Sequence, residues 1–406
     1  MGTSPVVRHR VGALVLAAAA VALVWLLLSG GGDSPDETGL DPPPPTTAAR
    51  EDDAPAPELD EADEKLVDAV MLVGFEGTNP DEIVAELERH PYGGVLIGAP
   101  NWEGEEPGRK LVEAIRDGAE EPPLIATRQE GGVYRSLPDL PPPEREIEIG
   151  DAGRTELAGK WGEETAKALA DAGIDLNLAP VADVATLDSA IADRAFSDDT
   201  GIAADMTAAA VEGCRKGGVA CAVAHFPGLG SAAQSTDAGP ASIGLDPATL
   251  EARDLPPFLA AFEAGAPATV VSHGLYAAYD PVTPASLSPA IVTDLLRDDL
   301  GFEGAAISDD IGAGAVTAVT DPGSAAVEAL NAGIDLVQVA DPADVDPVRK
   351  ALAAALASGE LSEDRLREAA ARVADLREGS GPSEAEKPKK PAKGEEGSDP
   401  SGAAEG

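Results

Sequence analysis

The stretch Gly301–Gly314, GFEGAAISDDIGAG, places a short apolar run, Ala305–Ile307, directly before two adjacent carboxylates, Asp309 and Asp310. The run shows no alternation of polar and apolar residues. A parallel strand covered by helices on both faces reads this way. The same form recurs along the chain in LVDAVMLVGFEG, YGGVLIGAP, PPLIATRQEGG, GIDLNLAPVADV, GVACAVAHFPG, ATVVSHGLY and GIDLVQVAD. Each is an apolar run with polar residues just past its end.

Between the runs lie segments with helical spacing. In GRTELAGKWGEETAKALADAG, Leu157, Trp161, Ala168 and Leu169 fall near one face, and Gly173 stands at the C′ position. PASLSPAIVTDLLRDDLG and SAAVEALNAG repeat the pattern of a helix followed by glycine. After the last run, Leu352, Leu356, Leu361, Leu366, Ala370 and Val373 can pack back on the body, with Ser362 as an N-cap ahead of Glu363 and Asp364.

Eight strands alternating with helices over residues 65–378 predict an α/β fold, a single TIM-type (β/α)8 barrel. A doubly wound open sheet is the competing arrangement. The barrel is favoured because Gln129, Glu130, Asp183, His225, His273, Asp309, Asp310 and Asp341 all sit at or just past strand C-terminal ends. In a barrel those ends form one face and converge on one site. Neither G-x-G-x-x-G nor a P-loop follows a strand, so nucleotide binding has no support.

Composition narrows the partners. The chain has 406 residues and a formal net charge of -44, which argues against nucleic acid and anionic membrane surfaces. Val11–Leu28 is an uncharged apolar run preceded by Arg8, His9 and Arg10. It reads as an uncleaved membrane anchor after a cytoplasmic basic end at residues 1–10. A cleaved signal sequence is the alternative. Either places the remainder outside the membrane, anchored or secreted. Residues 29–64 read as a disordered acidic Pro/Gly-rich stalk and residues 379–406 as a similar tail. Cys214 and Cys221 are either two small apolar residues or a disulfide, and their spacing alone leaves both open. The histidines and acids show no metal spacing, no cofactor is implied, and a monomer is expected.

An isolated Asp-Asp pair would most often cap the next helix. A carboxylate at a barrel mouth can also attack a sugar's anomeric carbon. Here the pair stands within a longer order: GFEGT, GGVLIGAPN, QEGG, DLNLAPVADV, IADRAFSDD, HFPGLG, then SHGLYAAYDPVTPASLSPAIVTDLLRDDLGFEGAAISDD and AGIDLVQVAD. This order resembles glycoside hydrolase family 3, in its single-barrel β-N-acetylhexosaminidase branch, over residues 66–376. The resemblance implies a retaining glycosidase acting on N-acetylglucosamine-containing wall or glycan fragments. It implies Asp309 as the nucleophile, and Arg194, His225 and Arg135 as sugar contacts. Asp183, at a strand end, is expected to line the same site.

The departures from the family pattern are equally specific. Arg128 stands where the family carries a sugar-binding Asp, replacing a hydroxyl acceptor by a donor. Ala224 and Leu229 replace a lysine and a histidine around His225. Asp237 occupies the position of the acid/base histidine, and Ser235 that of its partner Asp. Asp237 is then either a substitute acid/base or a solvated turn residue. Three functional readings follow: an active glycosidase, a non-catalytic glycan-binding or scaffold barrel, and a hydrolase whose Arg128 accepts an anionic sugar. His273 is expected to be a packed, hydrogen-bonded histidine.

Overall fold

A computed structural model describes residues 59–379. The apolar run Val11–Leu28 and most of the two flanks lie outside the described residues. Among the described residues no helix is long and apolar enough to cross a membrane.

Eight parallel strands form the expected barrel: β1 Met71–Gly74, β2 Gly94–Leu96, β3 Leu124–Thr127, β4 Leu176–Asn177, β5 Ala220–Phe226, β6 Ala268–Val271, β7 Ala305–Ser308 and β8 Val337–Val339. Each pairs with its neighbours in the chain, and β1 pairs with β8. A parallel bridge between Ile307 and Leu336, with Ser308 N–H donating to the Leu336 carbonyl, links β7 to β8 and closes the ring.

The strand pattern has a two-residue period beneath its apolar continuity. Ala220, Ala222 and Ala224 face the barrel interior with Leu72, Leu124, Leu176, Ile307 and Leu336. Val219, Cys221 and Val223 face outward into the packing against the helices. Both faces are dry, which is why the strands read as unbroken apolar runs. The interior mixes Leu and Ile with Ala, so large and small side chains share a narrow lumen.

The helices follow the spacing. Thr155–Asp171 is helical, with Leu169 in the core and Gly173 in the left-handed region at φ 80°. The helix Glu363–Gly379 is capped by Ser362, whose Oγ accepts from Arg365 N–H. Ala290–Asp299 is a wide π-helix. The first helix, Glu61–Ala69, opens four residues before the expected end of the stalk. Asp60 caps it, and Glu61, Asp63 and Glu64 fill its first turn, where carboxylates are favoured by the helix dipole. Acids that read as stalk are thus a helix start.

The repeated GID motifs lie at the opposite end from the strand C-termini. Asp175 accepts from Ile125 N–H and pairs with Arg116. Asp335 accepts from Ala306 N–H and is bonded by Arg297, Arg365 and Arg372. These buried carboxylates tie helices to strand starts. Carboxylates at that barrel end serve stability, while chemistry belongs to the other end. Cys214 and Cys221 are joined by a disulfide with their Cα atoms 6.2 Å apart, linking the helix Thr200–Gly217 to β5.

Candidate active site

The loop after β3 is built by one side chain. Gln129 Nε2 donates to the carbonyls of Leu137, Leu140 and Pro141, and its Oε1 accepts from Leu137 N–H. This pins a reversal whose turn passes through Gly131 and Gly132. Gly131 has φ 142°, and a Cβ there would lie 2.3 Å from the Glu144 carbonyl, so only glycine fits. Arg135 braces the same loop by donating to the carbonyls of Gly132 and Leu140. Two of the donors of this guanidinium, expected on a sugar, are bonded to the backbone.

The fixed loop aims Glu130 inward. Glu130 is 5% exposed and receives a two-point bond from Arg194, at 2.8 and 2.7 Å. Arg194 Nη2 lies 3.2 Å from His225 Nε2, and His225 Nδ1 lies 2.8 Å from Asp183. The other oxygen of Asp183, which is fully buried, accepts from Leu229 N–H. With Nδ1–H donating to Asp183, His225 Nε2 is left to accept from Arg194. The result is a continuous chain, Glu130–Arg194–His225–Asp183, joining the ends of β3 and β5 to the segment between β4 and the helix Thr200–Gly217. Burial alone would depress the Arg194 guanidinium, but Glu130, Asp309 and Asp183 more than offset it and raise its pKa.

Asp309 stands at the end of β7, two residues beyond the inward-facing Ile307. It is 5% exposed and lies 3.1 Å from Arg128 Nη2. Burial works to raise its pKa, and the Arg128 guanidinium, with the neighbouring His225 and His273 imidazoles and the Asp310 N–H, overcomes that. The carboxyl is held well below the usual carboxylate range. Asp310 turns aside: its Oδ1 accepts from Ala340 and Gly312 N–H, and its pKa is raised, chiefly by burial. His273 is fully buried between Ser286 Oγ and the Asp310 carbonyl, so it is a packed histidine that holds the turn carrying both acids.

A pocket of about 380 Å³ opens at this barrel end, lined by Arg128, Ser136, Asp237, Asp310 and Gln338, with Leu96 and Ala340 among its apolar walls. Asp237 is exposed and bonded to Ser235 Oγ at 3.1 Å. Its backbone is anchored, because Gly314 N–H donates to the Asp237 carbonyl and Ala315 N–H to that of Thr236. The structure therefore brings Arg128 and Asp309 into contact, links Arg194, His225 and Asp183, and sets Asp237 on the rim of the pocket. Glu130 and Gln338 are the site residues that the sequence reading did not assign a role. Glu130 was visible as a strand-end acid, but its pairing with Arg194 spans 64 positions.

Strand-end carboxylates and guanidiniums gather around one buried, ionised aspartate at the mouth of a (β/α)8 barrel. The chain matches the glycosyl hydrolase family 3 N terminal domain over residues 61–376 and belongs to that family. It is 35% identical over 294 residues to a β-hexosaminidase of Stenotrophomonas maltophilia (strain K279a), covering 68% of this chain and 85% of that one. A family 3 β-N-acetylglucosaminidase structure from Paenibacillus sp. str. FPU-7 superposes with a TM-score of 0.75 at 27% identity. It covers 78% of this chain, which spans 62% of that protein. A β-N-acetylhexosaminidase structure from Beutenbergia cavernae DSM 12333 gives 0.70 at 30% identity, over 79% of this chain and 99% of that one.

Proposed function

We propose that this protein is a retaining β-N-acetylhexosaminidase acting on N-acetylglucosamine-containing wall or glycan fragments. The observation that carries the reading is Asp309, a buried carboxylate kept ionised at the barrel mouth. Asp309 attacks the anomeric carbon and forms a glycosyl-enzyme, which water then hydrolyses. Arg194 and His225 hold the sugar, their orientations fixed by Glu130 and Asp183. Asp237, which lines the pocket, is the residue we propose to give a proton to the leaving group and later withdraw one from water. The curated relatives named β-hexosaminidase support the substrate class. The chain would act outside the membrane, held there by Val11–Leu28, and the Cys214–Cys221 disulfide supports such an oxidising location.

A second reading is favoured by one contact. The Arg128 guanidinium caps Asp309 where the family pattern has a hydroxyl acceptor, and this would suit a barrel that binds glycans without cleaving them. Turnover of p-nitrophenyl N-acetyl-β-glucosaminide by wild type and Asp309→Ala separates the two. Turnover abolished by the substitution supports the enzyme. Binding of N-acetylglucosamine oligomers without turnover supports the binding barrel.

A further inference from the structure

Gln338 lies on β8, two residues beyond Leu336, which faces the barrel interior. Its side chain therefore points into the same lumen, toward the pocket it lines with Arg128, Ser136 and Asp237. It is 1% exposed, and neither its Nε2 nor its Oε1 has a hydrogen-bond partner among the described residues. Its backbone is fully engaged, with its N–H on Ser308 Oγ and its carbonyl accepting from Ile311 N–H. The strand therefore fixes the amide in place. A buried amide left unpaired is destabilising, so a site that keeps one needs an explanation in its ligand.

The pocket chemistry selects that ligand. Asp237 and Asp310 face it beside one guanidinium, which is already paired with Asp309. An acidic sugar would add a like charge to that set. A neutral group fits, and it must offer one acceptor and one donor to meet both ends of the Gln338 amide. A carboxamide does so in one plane. The apolar walls at Leu96, Ala313 and Ala340 suit a small alkyl end on that carboxamide. We propose that Gln338 is the residue that selects an acetamido-bearing sugar, pairing its amide with the acetamido N–H and C=O. The inference rests on the glycosidase reading only for what the sugar is attached to.

The test compares wild type, Gln338→Leu and the unbranched Gln338→Met on p-nitrophenyl N-acetyl-β-glucosaminide and p-nitrophenyl β-glucoside. Calorimetric titrations with N-acetylglucosamine and glucose accompany the kinetics. Both variants should lose roughly ten- to a hundredfold in kcat/KM on the acetamido substrate relative to the glucoside. Their affinity for N-acetylglucosamine should fall in parallel, while their Tm rises because an unpaired buried amide has gone. If wild type turns over neither glycoside, the activity reading fails, and the titration alone decides this one. An acetamido preference equal in wild type and both variants overturns the proposal. So does the lack of any N-acetylglucosamine binding or turnover by wild type.

Discussion

Arg128 Nη2 lies 3.1 Å from Asp309 Oδ1, across 181 residues of sequence, and joins the ends of β3 and β7 over the barrel mouth. The contact has two opposite effects. It keeps a buried carboxylate ionised, and it draws on the electron density that the carboxylate needs to attack carbon. Under the proposed mechanism the first would serve catalysis and the second would weaken it. In Arg128→Ala, Asp309 keeps the Asp310 N–H and the neighbouring imidazoles of His225 and His273. The acid limb of kcat/KM should therefore rise by roughly 1–3 pH units while Asp309 stays ionised at neutrality. Turnover at pH 7 should increase. A pH–rate profile on an aryl glycoside checks this, and an unmoved acid limb would show that the pair is not setting the state of Asp309.

Asp237 differs from Asp309 in being exposed and locally bonded to Ser235. An aryl leaving group needs no proton, whereas an alkyl or sugar leaving group does. Asp237→Ala should slow hydrolysis of N-acetylglucosamine disaccharides by about 10²–10⁴-fold and leave the first step on p-nitrophenyl substrates nearly unchanged. Added azide should then speed turnover of the aryl substrate. Equal rates for both substrates and no azide effect would make Asp237 a turn residue.

Asp183 acts through His225. It holds Nδ1 at 2.8 Å and simultaneously fastens the following loop through Leu229 N–H. Asp183→Asn allows the imidazole to adopt the other tautomer, which presents N–H toward Arg194. A lost charged hydrogen bond of about 1.5–3 kcal/mol corresponds to roughly ten- to a hundredfold in kcat/KM. Steady-state kinetics with the fold checked by circular dichroism measures it, and an unchanged kcat/KM would remove the role.

Asp254 makes stability pH-dependent beneath the loop that follows His225. Gly228 has φ 125°, and a Cβ there would sit 2.6 Å from Asp254 Cβ, so loop and carboxyl are in close contact. Burial pushes the Asp254 carboxyl up to about 6, partly offset by Arg253. A carboxyl raised on folding stabilises in its protonated form. Its contribution is complete below the unfolded value near pH 4 and is lost as pH rises through about 6. Asp254→Asn should therefore gain stability relative to wild type between pH 4 and pH 7, by at most about 3 kcal/mol. Urea midpoints at the two pH values test the sign. A gap that narrows with rising pH contradicts it.

The barrel was legible because the strands are buried almost throughout and polar residues follow most of them within a few positions. Asp309, Asp310, Asp183 and His225 stand out in the sequence as strand-end residues, while the roles expected of Asp309 and His225 come from the family resemblance. Pairings were not legible, since they are set by closure of the ring. Nothing local in the sequence joins Arg128 to Asp309 or Arg194 to Glu130. Arg135 lies in the segment where a sugar contact was expected, yet its side chain closes back on Gly132 and Leu140, a choice made by the loop geometry. Gln338 reads as an ordinary break in an apolar strand, and its isolation emerges only once the lumen is assembled. The acids at 61–64 share the composition of the stalk, and the cap at Asp60 that makes them a helix start emerges only from the structure.

The central claim is that Asp309 becomes covalently glycosylated. Rapid mixing of the enzyme with p-nitrophenyl N-acetyl-β-glucosaminide measures this directly. The first step needs no proton with this substrate, while the second needs a base to activate water, so the intermediate should accumulate. The account predicts a burst of p-nitrophenol stoichiometric with enzyme. It also predicts a mass increase of one N-acetylhexosaminyl group on the acid-quenched peptide carrying Asp309, with both lost in Asp309→Ala. Turnover with no burst and no adduct, or turnover unchanged in Asp309→Ala, would contradict it.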